Sequence, residues 1–195
     1  FDLLSIEEMQ VAQGALRHGA LYDLLDREHA QTDQREASVN RLASNFQVDP
    51  AQARRVSQIA GRLFRQLAPE EESSEQEPRL RELEWAARLH EIGCLISHSD
   101  HHKHGAYILD HADAAGFTMP ELHRLGLLVL GHRGKLRKLE VDFGDAGFAA
   151  QLLALRLAVI FCHARREPDI RNVRLARGDG HSFVLACPDA WTRAY

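Results

Sequence analysis

Apolar positions recur along most of this chain with a period near 3.6 residues, then give way to alternation near its end. In ALRHGALYDLLDRE, from Ala15, the residues Leu16, Ala20, Leu21, Leu24 and Leu25 fall on one stripe, the spacing of an amphipathic helix. The preceding MQVAQG reads as a short strand entering it. A second helix is expected to start near Thr32 or Asp33, both good N-caps, and to bury Val39, Leu42, Ala43 and Phe46. Asp49-Pro50 marks the start of a third, because Asp can accept from free amides and proline's fixed φ suits the first helical position. That helix carries Val56, Ile59, Leu63 and Leu67 inward.

After Pro78 the run RLRELEWAARLHEIGCLI predicts a fourth helix burying Leu83, Trp85 or Ala86, Leu89 and Ile92, and weakening at Gly93. A fifth is expected from His101 to Ala115, with Gly116 as its C-cap. A sixth begins at Thr118, with Pro120 in its first turn, carries Leu122, Leu125 and Val129, and ends in GHRGKLRK. The seventh, AGFAAQLLALRLAVIFCHARR, is apolar nearly all round and should be central. VRLARGDGHSFVLAC alternates and is broken by Gly-Asp-Gly, the chemistry of a hairpin turn. The pattern therefore predicts a mainly α fold of about seven helices followed by a small β-hairpin.

The stretch 69–78, PEEESSEQEP, has five glutamates and nothing to bury, so it reads as an acidic solvated linker. With 45% hydrophobic residues the chain can build an ordinary core, and a net charge of −4 announces neither a nucleic-acid nor a membrane partner. Any anion site must be local. Cys94, Cys162 and Cys187 are odd in number, far apart and set in apolar runs, which suits reduced thiols in a cytosolic protein. No apolar stretch predicts a membrane span, and no signal peptide opens the chain. The opening FDLLSIEEMQVA lacks an initiator Met and reads as mid-structure, so a piece of a longer protein is expected.

The chemistry concentrates in LHEIGCLISHSDHHKHG, residues 89–105, where His90, His98, His101, His102 and His104 occupy five of the fifteen positions 90–104. Helices that gather histidines around a carboxylate build the sites of the HD-domain phosphohydrolases, and the order here resembles theirs. Arg35 to Val39 stands for the HxxxV helix, His90-Glu91 for the His-Asp doublet, His101 to Gly105 for HxxxG, and His132 for the later histidine. The ligands differ from the HD pattern: Arg35 replaces the first His, Glu91 the Asp, and Ala158 or Val159 the last Asp. Arginine brings a fixed positive charge to where a cation would sit. The expectation is a degenerate, structural HD motif of Arg35, His90, Glu91 and His98, with an Arg35–Glu91 ion pair in place of a metal.

Two stretches narrow the resemblance. GALRHGALYDLL at 14–25 looks like the GALREGVLYDL signature that closes the second actin-like domain of exopolyphosphatases and guanosine pentaphosphate phosphohydrolases. WAARLHEIGCLISHSDHHKHGAYIL is similar to that family's W-A-A-x-L-H-E-[IV]-G-x-x-I-x-H-S-x-x-H-[KRH]-H-[GS]-A-Y-I-L nearly residue for residue. LVLGHRGK falls where the family has a helix ending in YHRK, and Pro188-Asp189-Ala190-Trp191 resembles the start of its small C-terminal strand domain.

The resemblance implies an HD-domain-like helical bundle with a hairpin appendage. It assigns 1–30 to the end of the second actin-like (RNase H-like) domain and a connecting helix, 31–166 to the HD-like domain, and 167–195 to a truncated strand domain. It implies the C-terminal part of a cytoplasmic, homodimeric exopolyphosphatase, with peripheral attachment at the inner membrane allowed. The parent's Mg²⁺ and catalytic residues would lie in N-terminal actin-like domains, so no catalytic residue, metal or cofactor is expected in this chain. The contribution expected here is a polyphosphate channel and a dimer contact. Three other readings stay open: the same region of a guanosine pentaphosphate 5′-phosphohydrolase, a stand-alone HD metal phosphohydrolase, and a purely structural dimerisation module.

Candidate anion contacts are His101, His102, Lys103 and His104, then His132, Arg133, Lys135, Arg137 and Lys138. Four formal cations in the six residues 133–138 exceed what a helix C-terminus needs, and Gly131 and Gly134 would let an anion approach the backbone. His90 and His98 are expected as half-buried, satisfied core groups. Arg54, Arg55, Arg62 and Arg65 fit a solvated helix face.

Overall fold

The computed structural model describes residues 34–67, 73–139, 141, 143–179 and 182–188. The strand and helix expected within 9–30, and Trp191, lie outside the described residues. Among the described residues are six α-helices: α1 Gln34–Asn45, α2 Pro50–Leu67, α3 Ser73–Leu89, α4 His101–Asp110, α5 Met119–Gly131 and α6 Ala146–Phe161. Short 3₁₀ turns fill Ile92–Leu95 and Leu136–Lys138. Strand β1, Arg174–Arg177, pairs antiparallel with β2, Phe183–Ala186, setting Arg174 opposite Ala186 and Arg177 opposite Phe183. These are the second to seventh predicted helices and the predicted hairpin, in order.

The helix starts follow from side chains that take otherwise unpaired amides. Asp49 Oδ1 accepts from the amides of Ala51 (2.9 Å) and Gln52 (3.3 Å). Thr118 and Glu121 form a reciprocal capping box at α5, and Asp145 Oδ1 accepts from Gly147 (2.9 Å) and Phe148 (3.1 Å) at α6. Apolar periodicity then chooses the faces. Val56, Ile59 and Leu63 of α2, Leu83 and Leu89 of α3, Leu125 and Leu128 of α5, and Leu152, Leu155 and Ala158 of α6 join one core. Helix α6 packs against α2, α3 and α5, the central place its all-round apolarity predicts. The hairpin is moored to α2: Leu175 N donates to Gln66 Oε1 at 2.8 Å, and Arg177 Nε to the Leu67 carbonyl at 3.1 Å.

Two boundaries differ from the sequence expectation. Helix α3 begins at Ser73, so the second half of the acidic stretch is helical and Pro78 lies inside the helix. Glutamates near a helix N-terminus are favoured by its dipole, and the apolar face that begins at Leu80 carries the segment into the helix despite one lost amide bond. Helix α4 stops at Asp110 rather than Ala115. Side chains of α1 take the carbonyls beyond it. Arg41 Nη2 donates to Asp113 at 2.7 Å, Ser38 Oγ to Ala115 at 2.9 Å and Arg35 Nε to Gly116 at 2.9 Å. Gly116, at φ +88°, makes the turn into α5 that this docking requires.

Candidate functional site

The histidines are brought together by a close approach of backbones. A Cβ on Gly93 would stand 2.1 Å from the His101 carbonyl oxygen and 2.7 Å from the Gly105 amide. One on Gly105 would stand 2.8 Å from Val129 Cγ1. Two glycines thus let the first 3₁₀ turn, α4 and α5 lie side by side. That contact carries His101 and His102, at the start of α4, up to His132, the residue capping the end of α5.

His90, His101, His102 and His132 form the cluster. Ring centroids are 5.2 Å apart for His101 and His132, 5.5 Å for His90 and His132, and 6.3 Å for His102 and His132. His90 Nδ1 lies 2.7 Å from the Ala87 carbonyl oxygen, His101 Nδ1 2.9 Å from that of His98, and His132 Nδ1 2.5 Å from that of Val129. A carbonyl can only accept, so each of these Nδ1 atoms is the protonated, donating one. The Nε2 atoms of His101 and His132 face each other at 3.2 Å. His102 Nδ1 is buried with no hydrogen-bond partner. Burial, aided by the neighbouring imidazoles, holds His132 well below the ordinary histidine range and lowers His90 and His102 as well. Burial thus favours the neutral form of these three rings.

The structure redistributes the sequence candidates. His90 is buried, as expected. His98 is exposed rather than in the core, because the 3₁₀ turn carries the chain outward before α4; what it contributes is the carbonyl that orients His101. His132, expected among the anion contacts, is only 4% exposed, since it continues the buried stripe of Leu125 and Val129. Its imidazole faces the other histidines. His101, His102 and His104 are half-buried, and Lys103 is exposed and paired with Asp100 at 2.9 Å.

The Arg35–Glu91 pair does not form. Arg35 sits across the Trp85 and Phe117 rings and pairs with Glu121 at 3.0 Å. Glu91 pairs with Arg165 at 2.7 Å, which also reaches Asp49 at 2.9 Å. The two residues are separated because α1 docks on the α4–α5 connection while Glu91 faces the segment after α6. With Glu91 engaged by a cation, the donor set does not fit the carboxylate-bearing HD centre. Among the described residues no three histidine, cysteine or carboxylate groups converge as a metal site.

Beside the cluster lies a basic loop. Arg133, Lys135 and Arg137 are exposed and, among the described residues, have no ion pair. Lys138 ends the second 3₁₀ turn; its side chain is outside the described residues. Gly134, at φ +81°, makes the turn. Gly131 serves packing instead, as a Cβ there would meet Leu152 Cδ1 at 2.7 Å. Arg156, which sequence reasoning missed, anchors the loop from α6: Nη1 donates to the Gly131 carbonyl at 2.6 Å and Nη2 to that of Gly134 at 3.0 Å. A lone arginine inside the apolar run AGFAAQLLALRLAVIF is the signal that marks it. No helix among the described residues is long and apolar enough to cross a membrane.

Comparison with known proteins agrees with this architecture. The chain is 33% identical over 199 aligned residues to a guanosine-5′-triphosphate,3′-diphosphate pyrophosphatase of Pseudoalteromonas atlantica, covering 100% of the chain and 39% of that relative. It is 36% identical to the protein of the same name from Aeromonas hydrophila, covering 98% and 39%, and 35% identical to that of Vibrio cholerae, covering 98% and 38%. The chain thus spans about two fifths of the length of these curated relatives. Residues 34–195 match the family description "Ppx/GppA phosphatase, domain III". With that match laid over the helical bundle, its histidine cluster and its terminal hairpin, the chain belongs to the Ppx/GppA phosphatase family.

Proposed function

We propose that this chain is the C-terminal region of a phosphoanhydride hydrolase acting on guanosine 5′-triphosphate 3′-diphosphate, and that it supplies an anion-contacting edge rather than the reacting groups. The names of the relatives favour this nucleotide over the long-chain polyphosphate expected from the sequence. The observation that carries the edge is the loop of Arg133, Lys135 and Arg137, exposed and uncompensated, in a protein where Arg35, Arg79, Arg88, Arg124, Arg165 and Arg171 all pair with carboxylates. Guanidinium groups grip phosphate oxygens bidentately, and lysine adds a point charge. Lys103 and the half-buried His104, at the start of α4, are the further candidates for this edge, while His101 and His102 turn toward His132. Hydrolysis, with its Mg²⁺, belongs on this reading to N-terminal actin-like domains, and the parent is a cytoplasmic homodimer.

The test is a titration of the chain with the nucleotide and, separately, with long-chain polyphosphate, at several salt concentrations. Binding of the nucleotide should weaken with salt, and Arg133→Ala, Lys135→Ala and Arg137→Ala should each cost about two- to fivefold in affinity, the worth of one exposed charge pair. Absence of binding at low salt, or indifference to all three substitutions, would sink the anion edge. Tight binding of polyphosphate alone would restore the exopolyphosphatase reading. Hydrolysis by the chain itself would restore the HD phosphohydrolase reading.

A further inference from the structure

We propose that His101, His132 and His102 form a binding site for a transition-metal cation of the zinc class. The proposal stands apart from the anion edge and starts from a conflict in the hydrogen bonding. The Nδ1 atoms of His101 and His132 both face carbonyl oxygens, so in the neutral rings both Nε2 atoms carry lone pairs. Those lone pairs meet at 3.2 Å. Moving a proton to either Nε2 would only turn the repulsion around, leaving a bare Nδ1 against its carbonyl. Something positive has to lie between the rings.

A metal ion meets that need. Two imidazole nitrogens each about 2.1 Å from a tetrahedral ion stand about 3.4 Å apart, close to the 3.2 Å separation of the two Nε2 atoms. The outer ends of both rings are already fixed by carbonyl oxygens, the arrangement that orients histidine ligands and raises their basicity. His102 supplies the third donor: its Nδ1 is buried and without a partner, and its ring lies 6.0 Å from that of His101. The three donors do not share one point in this structure, so uptake requires the His102 ring to turn toward the His101–His132 pair. Burial favours the neutral, ligating form of His132 and His102.

The donor set also defines the ion. Three imidazoles and no carboxylate suit zinc, cobalt, nickel or copper and disfavour Mg²⁺ or Ca²⁺. The obstacle seen in the sequence, a cation at Arg35, is gone because Arg35 is occupied by Glu121. Glu91, the carboxylate following His90, is held by Arg165 and takes no part.

Cobalt(II) is the probe. The metal-stripped chain should take up about one Co²⁺ and develop visible ligand-field bands that Zn²⁺ bleaches on displacement. His101→Ala, at a half-exposed position, should abolish the bands, and His102→Ala should weaken uptake at least about tenfold. His123→Ala, whose histidine pairs with Asp110, should change nothing. Far-UV circular dichroism of each variant verifies folding, and His101→Ala decides the matter should His132→Ala fail to fold. The proposal is overturned if the chain takes up no stoichiometric Co²⁺ or Zn²⁺. It is also overturned if His101→Ala binds as the parent does. A shared proton would then hold the two rings.

Discussion

Replacing Arg124 by methionine should cost about 3–4 kcal/mol of folding stability. Arg124, on α5, reaches three elements at once. Its Nε donates to Glu82 of α3 at 3.0 Å, Nη1 to the α6 cap Asp145 at 3.1 Å, and Nη2 to Gln151 Oε1 at 3.0 Å. Its guanidinium also lies 5.0 Å over the Phe148 ring. Burial would lower the Arg124 pKa, but Glu82 and Asp145 together outweigh it and raise it. Gln151 is fully buried, and its Nε2 already donates to the Arg79 carbonyl and to Glu82, both at 2.7 Å.

Without the guanidinium, the buried Gln151 oxygen loses its donor, a loss of about 1–3 kcal/mol. Glu82, whose side chain is 16% exposed, loses its cation. Breaking a fully buried pair costs about 3–5 kcal/mol. With the Arg124 side chain 33% exposed, and Asp145 still paired to Arg79, about half of that applies. Urea unfolding followed by circular dichroism measures the sum. Glu82→Gln in the Arg124→Met background removes the stranded charge, so the two changes should couple by more than about 1 kcal/mol. A cost below about 1 kcal/mol for Arg124→Met, or simple additivity, would refute the network as the tie between α3, α5 and α6.

Two further outcomes follow from the site. The metal-free chain should lose stability as pH falls below about 6.5, because burial keeps the folded pKa of His132, His90 and His102 below the unfolded one. The unfolded state then protonates first, with a slope of up to about 1.4 kcal/mol per pH unit for each such histidine, fully regained above the unfolded pKa. Urea midpoints unchanged between pH 7.5 and pH 5 (about a unit either side of that value) would contradict this. Gly93→Ala should destabilise by about 3 kcal/mol or more, since its Cβ meets backbone atoms of α4 that cannot step aside. Gly147→Ala meets only the Arg79 guanidinium and should cost far less, so equal shifts in thermal unfolding would overturn the close-approach argument.

The helices were legible because each has its own local signal: Asp49 and Thr118 before apolar stripes, and an apolar α6 with no polar face to show. What the order of residues could not disclose is which faces meet. His98 and His132 exchanged places between expectation and structure for that reason. The sequence reads His98, with His90, as a half-buried core group, yet the 3₁₀ turn at Ile92–Leu95 redirects the chain before His98 is reached. His132 sits three residues beyond Val129 and seven beyond Leu125, on the buried stripe of α5, a periodicity masked by the cations that follow it. Arg35 and Glu91 matched the HD order one after another, but order along the chain does not fix the side of the bundle. Arg35 caps the α4–α5 connection through Gly116, a contact between partners 81 positions apart in the chain.

The two proposed sites adjoin at a single peptide bond, that between His132 and Arg133. His132 closes α5 in helical geometry and points inward, while Arg133 is exposed. Arg156 holds the carbonyls on either side, at Gly131 and Gly134, and burial lowers its pKa with no carboxylate to offset the cost. The loop is therefore fixed by its backbone, and its outward cations are free of any structural duty among the described residues. That division makes the two readings independent under substitution. Arg133→Ala leaves the carbonyl anchors of His101 and His132 in place, so metal uptake should persist while anion affinity falls. His101→Ala leaves the exposed cations at 133, 135 and 137 untouched, so it should remove the cobalt bands and keep the salt-dependent anion binding. Parallel loss of both in either variant would mean that the loop depends on its charges for its shape, and that the backbone anchoring by Arg156 is not sufficient.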